Sequence, residues 1–214
     1  MQGIEVSEKL QMFLQFLPVF FLSLSVHEWA HAYVAYKRGD PTAKSLGRMT
    51  LNPLKHLDWI GSIAMPFISF FTGGMFIGWA KPVPVRRSNL NNPKIDDILV
   101  SIAGPVSNLI IAGIFSVFIM LLLKPAGGNE NIIKVLWLGV TFNVFLFLFN
   151  LLPVPPLDGS HIILNLFPDS LYSKLLRSPM IGTLLLFLFI FSPFWKYFIS
   201  IVEFFLKLFA RIIL

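Results

Sequence analysis

Cysteine is absent from the 214 residues, which excludes a disulfide framework and any zinc or iron–sulfur site held by thiolates. Charge is scarce as well. Asp, Glu, Lys and Arg make up 13% of the chain, about half the share of an ordinary soluble domain. Internal repeats, low-complexity tracts and a separate soluble domain are all missing from the pattern. The first ten residues hold Glu5, Glu8 and Lys9 but no basic leader region and no small-residue cleavage site. The first apolar run is therefore expected to stay as a permanent span.

What fills the chain instead is hydrocarbon: 56% hydrophobic residues, 23 phenylalanines and a mean hydropathy of +0.75. Several uncharged runs approach the roughly 20 residues that a helix needs to cross a bilayer. The expected fold is an all-α polytopic membrane protein, a bundle of about five or six transmembrane segments in one domain. Its core is placed at 11–165, with apolar and amphipathic helices over 180–214. The formal charge of +6 and pI near 9.7 could suggest nucleic acid. The basic residues lie in short loops between apolar runs, however, as the positive-inside bias requires. The lipid bilayer is the expected partner, and no nucleic acid is expected.

Span one runs from about Gln11 to Tyr36. Lys37, Arg38, Lys44, Arg48 and Lys55 follow it, against Lys9 before it, so the N-terminus is expected outside and residues 37–58 in the cytoplasm. Residues 59–80 carry no charge, yet Lys81, Arg86, Arg87 and Lys94 come next. A single crossing would put that second basic cluster outside. A re-entrant hairpin resolves the conflict, reversing at Gly73-Gly74 and returning extended over Met75–Val85; such backbone must be covered by protein or line a wet cavity. Further spans are expected over Ile98–Leu123 and Ile132–Leu152, joined by a short external loop. Pro153, Pro155 and Pro156 then preclude continued helix. An apolar helix near Met180–Phe191 and a break at Ser192-Pro193 precede a last segment. There Lys196, Ser200, Glu203, Lys207 and Arg211 form a polar stripe, read as an interfacial helix.

Within span one, His27, Glu28 and His31 are the only acidic, basic or imidazole side chains. A charge at mid-bilayer costs roughly 2.5–3.5 kcal/mol, so such residues seldom occur there without a job. His27-Glu28-Trp29-Ala30-His31 is the HExxH pattern of zinc proteases. On a helix the two histidines lie one turn apart on one face, about 6 Å along the axis, and can reach one ion. Glu28 is set round the helix, where it can act as general base on water without ligating. A catalytic zinc takes three protein ligands. Among the eleven acidic residues Asp158 stands apart, because uncharged residues fill positions 135–157 before it. It follows a proline-stiffened loop and precedes Gly159, and the topology brings it to the cytoplasmic side with the histidines. One Zn²⁺ with ionised Asp158 and Glu28 sums to zero charge, which lowers the cost of burial.

These residues resemble the site-2 protease family of intramembrane zinc metalloproteases. The resemblance rests on HExxH in a transmembrane helix, Asn150-x-x-Pro153-x-x-x-x-Asp158-Gly159 downstream, and Gly104-Pro105-x-x-Asn108 between them. Gly47-Arg48-Met49-Thr50-Leu51-Asn52-Pro53 and Gly78-Trp79-Ala80-Lys81-Pro82-Val83-Pro84-Val85 add to it, and the whole covers roughly residues 20–165. It implies one zinc per chain held by His27, His31 and Asp158, with Glu28 activating water. It also implies substrates that are transmembrane segments of other proteins, in a multi-pass cell-membrane enzyme. No PDZ or other accessory domain is evident.

Asn108 and Asn150 are expected either to position substrate or to hydrogen-bond between helices. For Asn143 the interhelical bond is the expected role. His56 and His161 are expected to ligate nothing. The alternative function is a membrane metal transporter or sensor using the same histidines. It would favour several polar crossings or inverted repeats, which the sequence does not show.

Overall fold

The computed structural model describes residues 2–72, 78–123, 129–176 and 178–213, and within them the side chains of all but 2–9, 70, 123 and 179. The described residues form helices and loops, without strands. Helix α1 (Gln2–Lys37) carries the HExxH motif; α2 (Thr42–Ser45) is a short turn after it. A π-helical turn, Trp59–Ala64, runs into α3 (Met65–Thr72). Then come α4 (Pro93–Leu123), α5 (Glu130–Asn150), α6 (Asp158–Leu166), α7 (Leu171–Leu176), α8 (Pro179–Ile190) and α9 (Trp195–Ile213). Helix is what so apolar a sequence must adopt in lipid, since it satisfies every backbone polar group within its own segment.

Among the described residues three helices are long and apolar enough to cross a bilayer: Leu10–Lys37, Pro93–Leu122 and Glu130–Asn150. Met180–Ile190 and Trp195–Ile213 pass that test only as a pair, bent by 76° at their junction. Counting each arm of the bent pair gives five segments, and adding the short apolar helix Trp59–Ser69 gives six, the expected range.

Helix α4 is the hub, packing on α1, α5, α6 and α9. Phe16 and Phe20 of α1 meet Phe142 and Leu146 of α5 in one buried cluster. Ala112 and Ile119 of α4, Val140 and Val144 of α5, and Phe198 and Val202 of α9 form another. The bundle thus covers the face of α9 that carries Phe198 and Val202, while Ile201, Phe204, Leu208 and Ile212 stay exposed beside Lys196, Ser200, Glu203, Lys207 and Arg211.

The described stretches before and after residues 73–77 are bonded to each other. The Asp58 carboxylate caps the outgoing arm by accepting from the N–H groups of Ile60 (3.1 Å) and Gly61 (2.8 Å). On the return, Trp79 N–H donates to Gly61 O and Lys81 N–H to His56 O, each at 2.9 Å. Ser62 Oγ donates to Trp79 O at 2.8 Å. The chain that departs at Trp59 is therefore back at the same end by Trp79, which is the re-entry inferred from basic residues on both sides of the run. Gly73-Gly74, the expected point of reversal, lies outside the described residues.

Asp40 ties this end together. It is fully buried and accepts from Thr42 Oγ1, from Asn89 Nδ2 at 2.9 Å and from Arg86 N–H at 2.6 Å. Burial alone would raise its carboxyl pKa; hydrogen bonds from Thr42, Asn89 and the Arg86 and Thr42 backbone outweigh that and hold it below the ordinary value.

Candidate metal centre

The last third of α1 supplies His27 and His31, both facing α4. Their Nε2 atoms are 3.0 Å apart. Asp158, first residue of α6, brings Oδ2 to 3.3 Å from His27 Nε2 and 3.4 Å from His31 Nε2. Among the described residues this is the single group of three or more such donors close enough to share an ion. The structure thus brings together the three residues that the sequence singled out as ligands, from elements more than a hundred positions apart.

The outer bonds of the rings say which atoms face inward. His31 Nδ1 lies 2.7 Å from the Val100 carbonyl, which can only accept, so Nδ1 bears the proton and Nε2 a lone pair. His27 Nδ1 lies 2.6 Å from Asn108 Oδ1. Asp158 Oδ2 is buried and has no hydrogen-bond partner. Lone pairs of nitrogen and a carboxylate oxygen crowded at 3.0–3.4 Å repel one another unless a cation lies between them. Ligands about 2.0–2.1 Å from a tetrahedral zinc stand roughly 3.3–3.4 Å apart, so spacing and donor chemistry both fit that metal.

Helix α4 must come very close for this. A Cβ at Gly104 would lie 2.3 Å from His31 Nε2 and 2.6 Å from His27 Cε1, so only glycine admits both imidazoles. Gly159 lets the start of α6 approach the chain that follows α5, where a Cβ would fall 2.3 Å from the Leu151 carbonyl oxygen. Helix α6 is also tied to α4: Asn165 Nδ2 donates to Asp97 Oδ2 at 2.6 Å, and His161 Nδ1 is 3.5 Å from that oxygen. Arg87 Nη2 donates to Asn165 Oδ1. The loop before α6 is held by Tyr172, whose hydroxyl donates to Pro153 O.

Glu28, one position after His27, reaches the returning segment. Its Oε2 accepts from Val83 N–H at 2.7 Å. Arg48 secures that segment from the far side, donating through Nη2 to Lys81 O at 2.7 Å. His56, 2% exposed, faces Thr50 O through Nε2 at 2.8 Å and is part of the same scaffold.

Asn108 is fully buried behind the His27 ring, with Oδ1 on His27 and Nδ2 donating to Asn143 Oδ1 at 2.9 Å. It is placed to orient a histidine rather than to face open space. Asn150, half-buried at the end of α5, donates to Leu146 O of its own helix at 3.1 Å. Sequence reasoning missed Gly104 as the gap for the histidines, the carbonyl of Val100, and the N–H of Val83. Of these only Gly104 left a signal, a glycine directly before a proline within an apolar run.

Comparison with known proteins agrees with this chemistry. The profile of peptidase family M50 matches residues 125–191, the stretch that includes Asp158. The candidate zinc metalloprotease YwhC of Bacillus subtilis (strain 168) is 43% identical over 185 residues, covering 82% of this chain and 80% of YwhC. Rip2 of Mycolicibacterium smegmatis, also a candidate zinc metalloprotease, is 34% identical over 143 residues, 64% of this chain and 51% of Rip2. Rip2 of Mycobacterium tuberculosis (strain ATCC 25618 / H37Rv) is 34% identical over 151 residues, 69% of this chain and 55% of that protein. The chain thus spans about half the length of the Rip2 proteins. No solved structure matches it. The chain belongs to peptidase family M50, the site-2 protease family, and through it to the metalloproteases.

Proposed function

We propose that this metalloprotease is an intramembrane zinc endopeptidase, cutting peptide bonds in or near transmembrane segments of other membrane proteins. His27, His31 and Asp158 would hold one zinc per chain, and Glu28 would be the catalytic base. The enzyme sits as a single multi-pass domain in the cell membrane with its site toward the cytoplasmic side, the side to which the basic loops assign the end of α1. One observation carries the reading: an orphaned buried carboxylate oxygen meets two imidazoles between helices apolar enough to cross a bilayer.

When bound, zinc supplies a Lewis acid that polarises the scissile carbonyl and makes water a nucleophile near neutral pH. The chain's own groups do the rest. The Val83 N–H fixes Glu28 Oε2 and leaves Oε1 to take the proton of the attacking water. The same carboxyl then gives that proton to the leaving amide nitrogen. A helical substrate must unwind before attack, because its peptide groups are engaged with one another. The non-helical run 78–85 offers such a strand a partner: Trp79, Lys81 and Val83 bond inward, which in an extended backbone leaves the alternate groups of Ala80 and Pro84 to a neighbour.

Glu28→Gln tests the reading. The variant is expected to keep its zinc, measured by elemental analysis, and to lose cleavage of a transmembrane substrate in proteoliposomes by at least about 10²-fold. Cleavage that survives Glu28→Gln would refute the assignment, and metal transport that survives it would favour a transporter.

A further inference from the structure

Behind His27 runs a chain of polar side chains closed off from solvent. Asn108 of α4, Asn143 of α5 and Ser23 of α1 are each 0% exposed. The chain is anchored on helix carbonyls, which can only accept. Asn143 Nδ2 donates to Gly139 O at 2.9 Å and to Ser23 Oγ at 2.8 Å. Ser23 Oγ has committed its own proton to Val19 O at 2.7 Å, so it too can only accept. With its amide hydrogens spent there, Asn143 turns Oδ1 to Asn108, whose Nδ2 donates to it at 2.9 Å and to Ser23 O at 3.4 Å. Asn108 then has one atom left for its other side. That atom is Oδ1, 2.6 Å from His27 Nδ1.

An acceptor at that position demands a proton on Nδ1, which leaves the lone pair on Nε2, the atom that faces His31 and Asp158. We infer that Asn143 is a positioning residue: through Asn108 it sets the tautomer of His27, and so decides whether Nε2 can take a metal. The inference rests on the zinc reading above and extends it to a residue two hydrogen bonds from the ion. A plain interhelical bond would be indifferent to direction. This chain is directional, because reversing Asn108 would set its NH₂ against His27 and move the ring proton to Nε2.

The test uses full-length protein in detergent, its histidines labelled with ¹⁵N, and zinc ion alone as the ligand. In metal-free wild type, His27 is expected to show a proton on Nδ1. Asn143→Leu keeps the side-chain size but frees Asn108 to turn; it is expected to lower the Nδ1–H population and weaken zinc binding, by chelator competition, about 10–100-fold. Adding Asn108→Asp to that variant should restore both readouts, because a carboxylate presents an acceptor whichever way it turns. A proton on Nε2 and not Nδ1 in wild type overturns the inference without any variant. So does Asn143→Leu with unchanged tautomer and unchanged affinity, the result expected of simple helix glue. Should wild type bind no zinc, the peptidase reading fails while the tautomer arm still decides this one.

Discussion

Gly104 shows how much of the site depends on a missing atom. The two imidazoles occupy the space where its side chain would be, with His31 Nε2 2.3 Å from an ideal Cβ. Gly104→Ala must displace rings that are held from behind by Val100 and Asn108, and overpacking of this kind costs about 1–3 kcal/mol. Zinc affinity is expected to fall roughly tenfold or more by chelator competition, while the helix content of the protein stays unchanged. His27, Glu28, His31 and Asp158 were legible in the sequence because ionisable groups in an apolar run need a reason to be there. Gly104, Asn143 and Ser23 were not legible in the same way. An amide in a transmembrane helix reads as glue until the carbonyls beside it are known, and those belong to other helices.

The returning segment after α3 illustrates the same limit one level up. Basic residues flanking 59–80 on both sides imply that the run goes in and comes back, and the bonds of Trp79 to Gly61 and Lys81 to His56 are what such a path requires. Which backbone groups would be used up could not be read from sequence. They alternate: Trp79, Lys81 and Val83 are engaged by the protein, so a substrate strand paired there, as proposed, would meet Ala80 and Pro84. Ala80→Pro removes one outward N–H from a stretch that already tolerates Pro82 and Pro84. One lost hydrogen bond of about 1 kcal/mol corresponds to about a fivefold fall in kcat/KM for a transmembrane substrate. Zinc content is expected to be unchanged; unaltered kcat/KM would rule the strand pairing out. Helix α6 was not anticipated either, because the prolines before it mask a nine-residue helix that Asp158 begins.

At the scale of the molecule, the fold works by making one helix the neighbour of all the others that matter. Helix α4 meets α1, which carries the histidines, α6, which carries Asp158, and α5, which carries Asn143. Composition announced a membrane bundle, and the long runs gave α5 and the C-terminal ends of α1 and α4 to within two residues, while α1 and α4 begin nine and five residues before the expected spans. In the C-terminal region the break at Ser192-Pro193 was legible and falls at the 76° bend, whereas the packing of α9 on α4 and α5 was not, because its polar stripe reads as an interfacial helix. Every functional statement depends on an ion shared by α1 and α6. X-ray absorption at the zinc edge on the full chain, beside its Asp158→Ala variant, addresses that directly. One zinc per chain with two imidazole nitrogens and oxygen donors, lost or sharply weakened in the variant, is the expected result. Tightly held zinc with an identical ligand set in both proteins would contradict it.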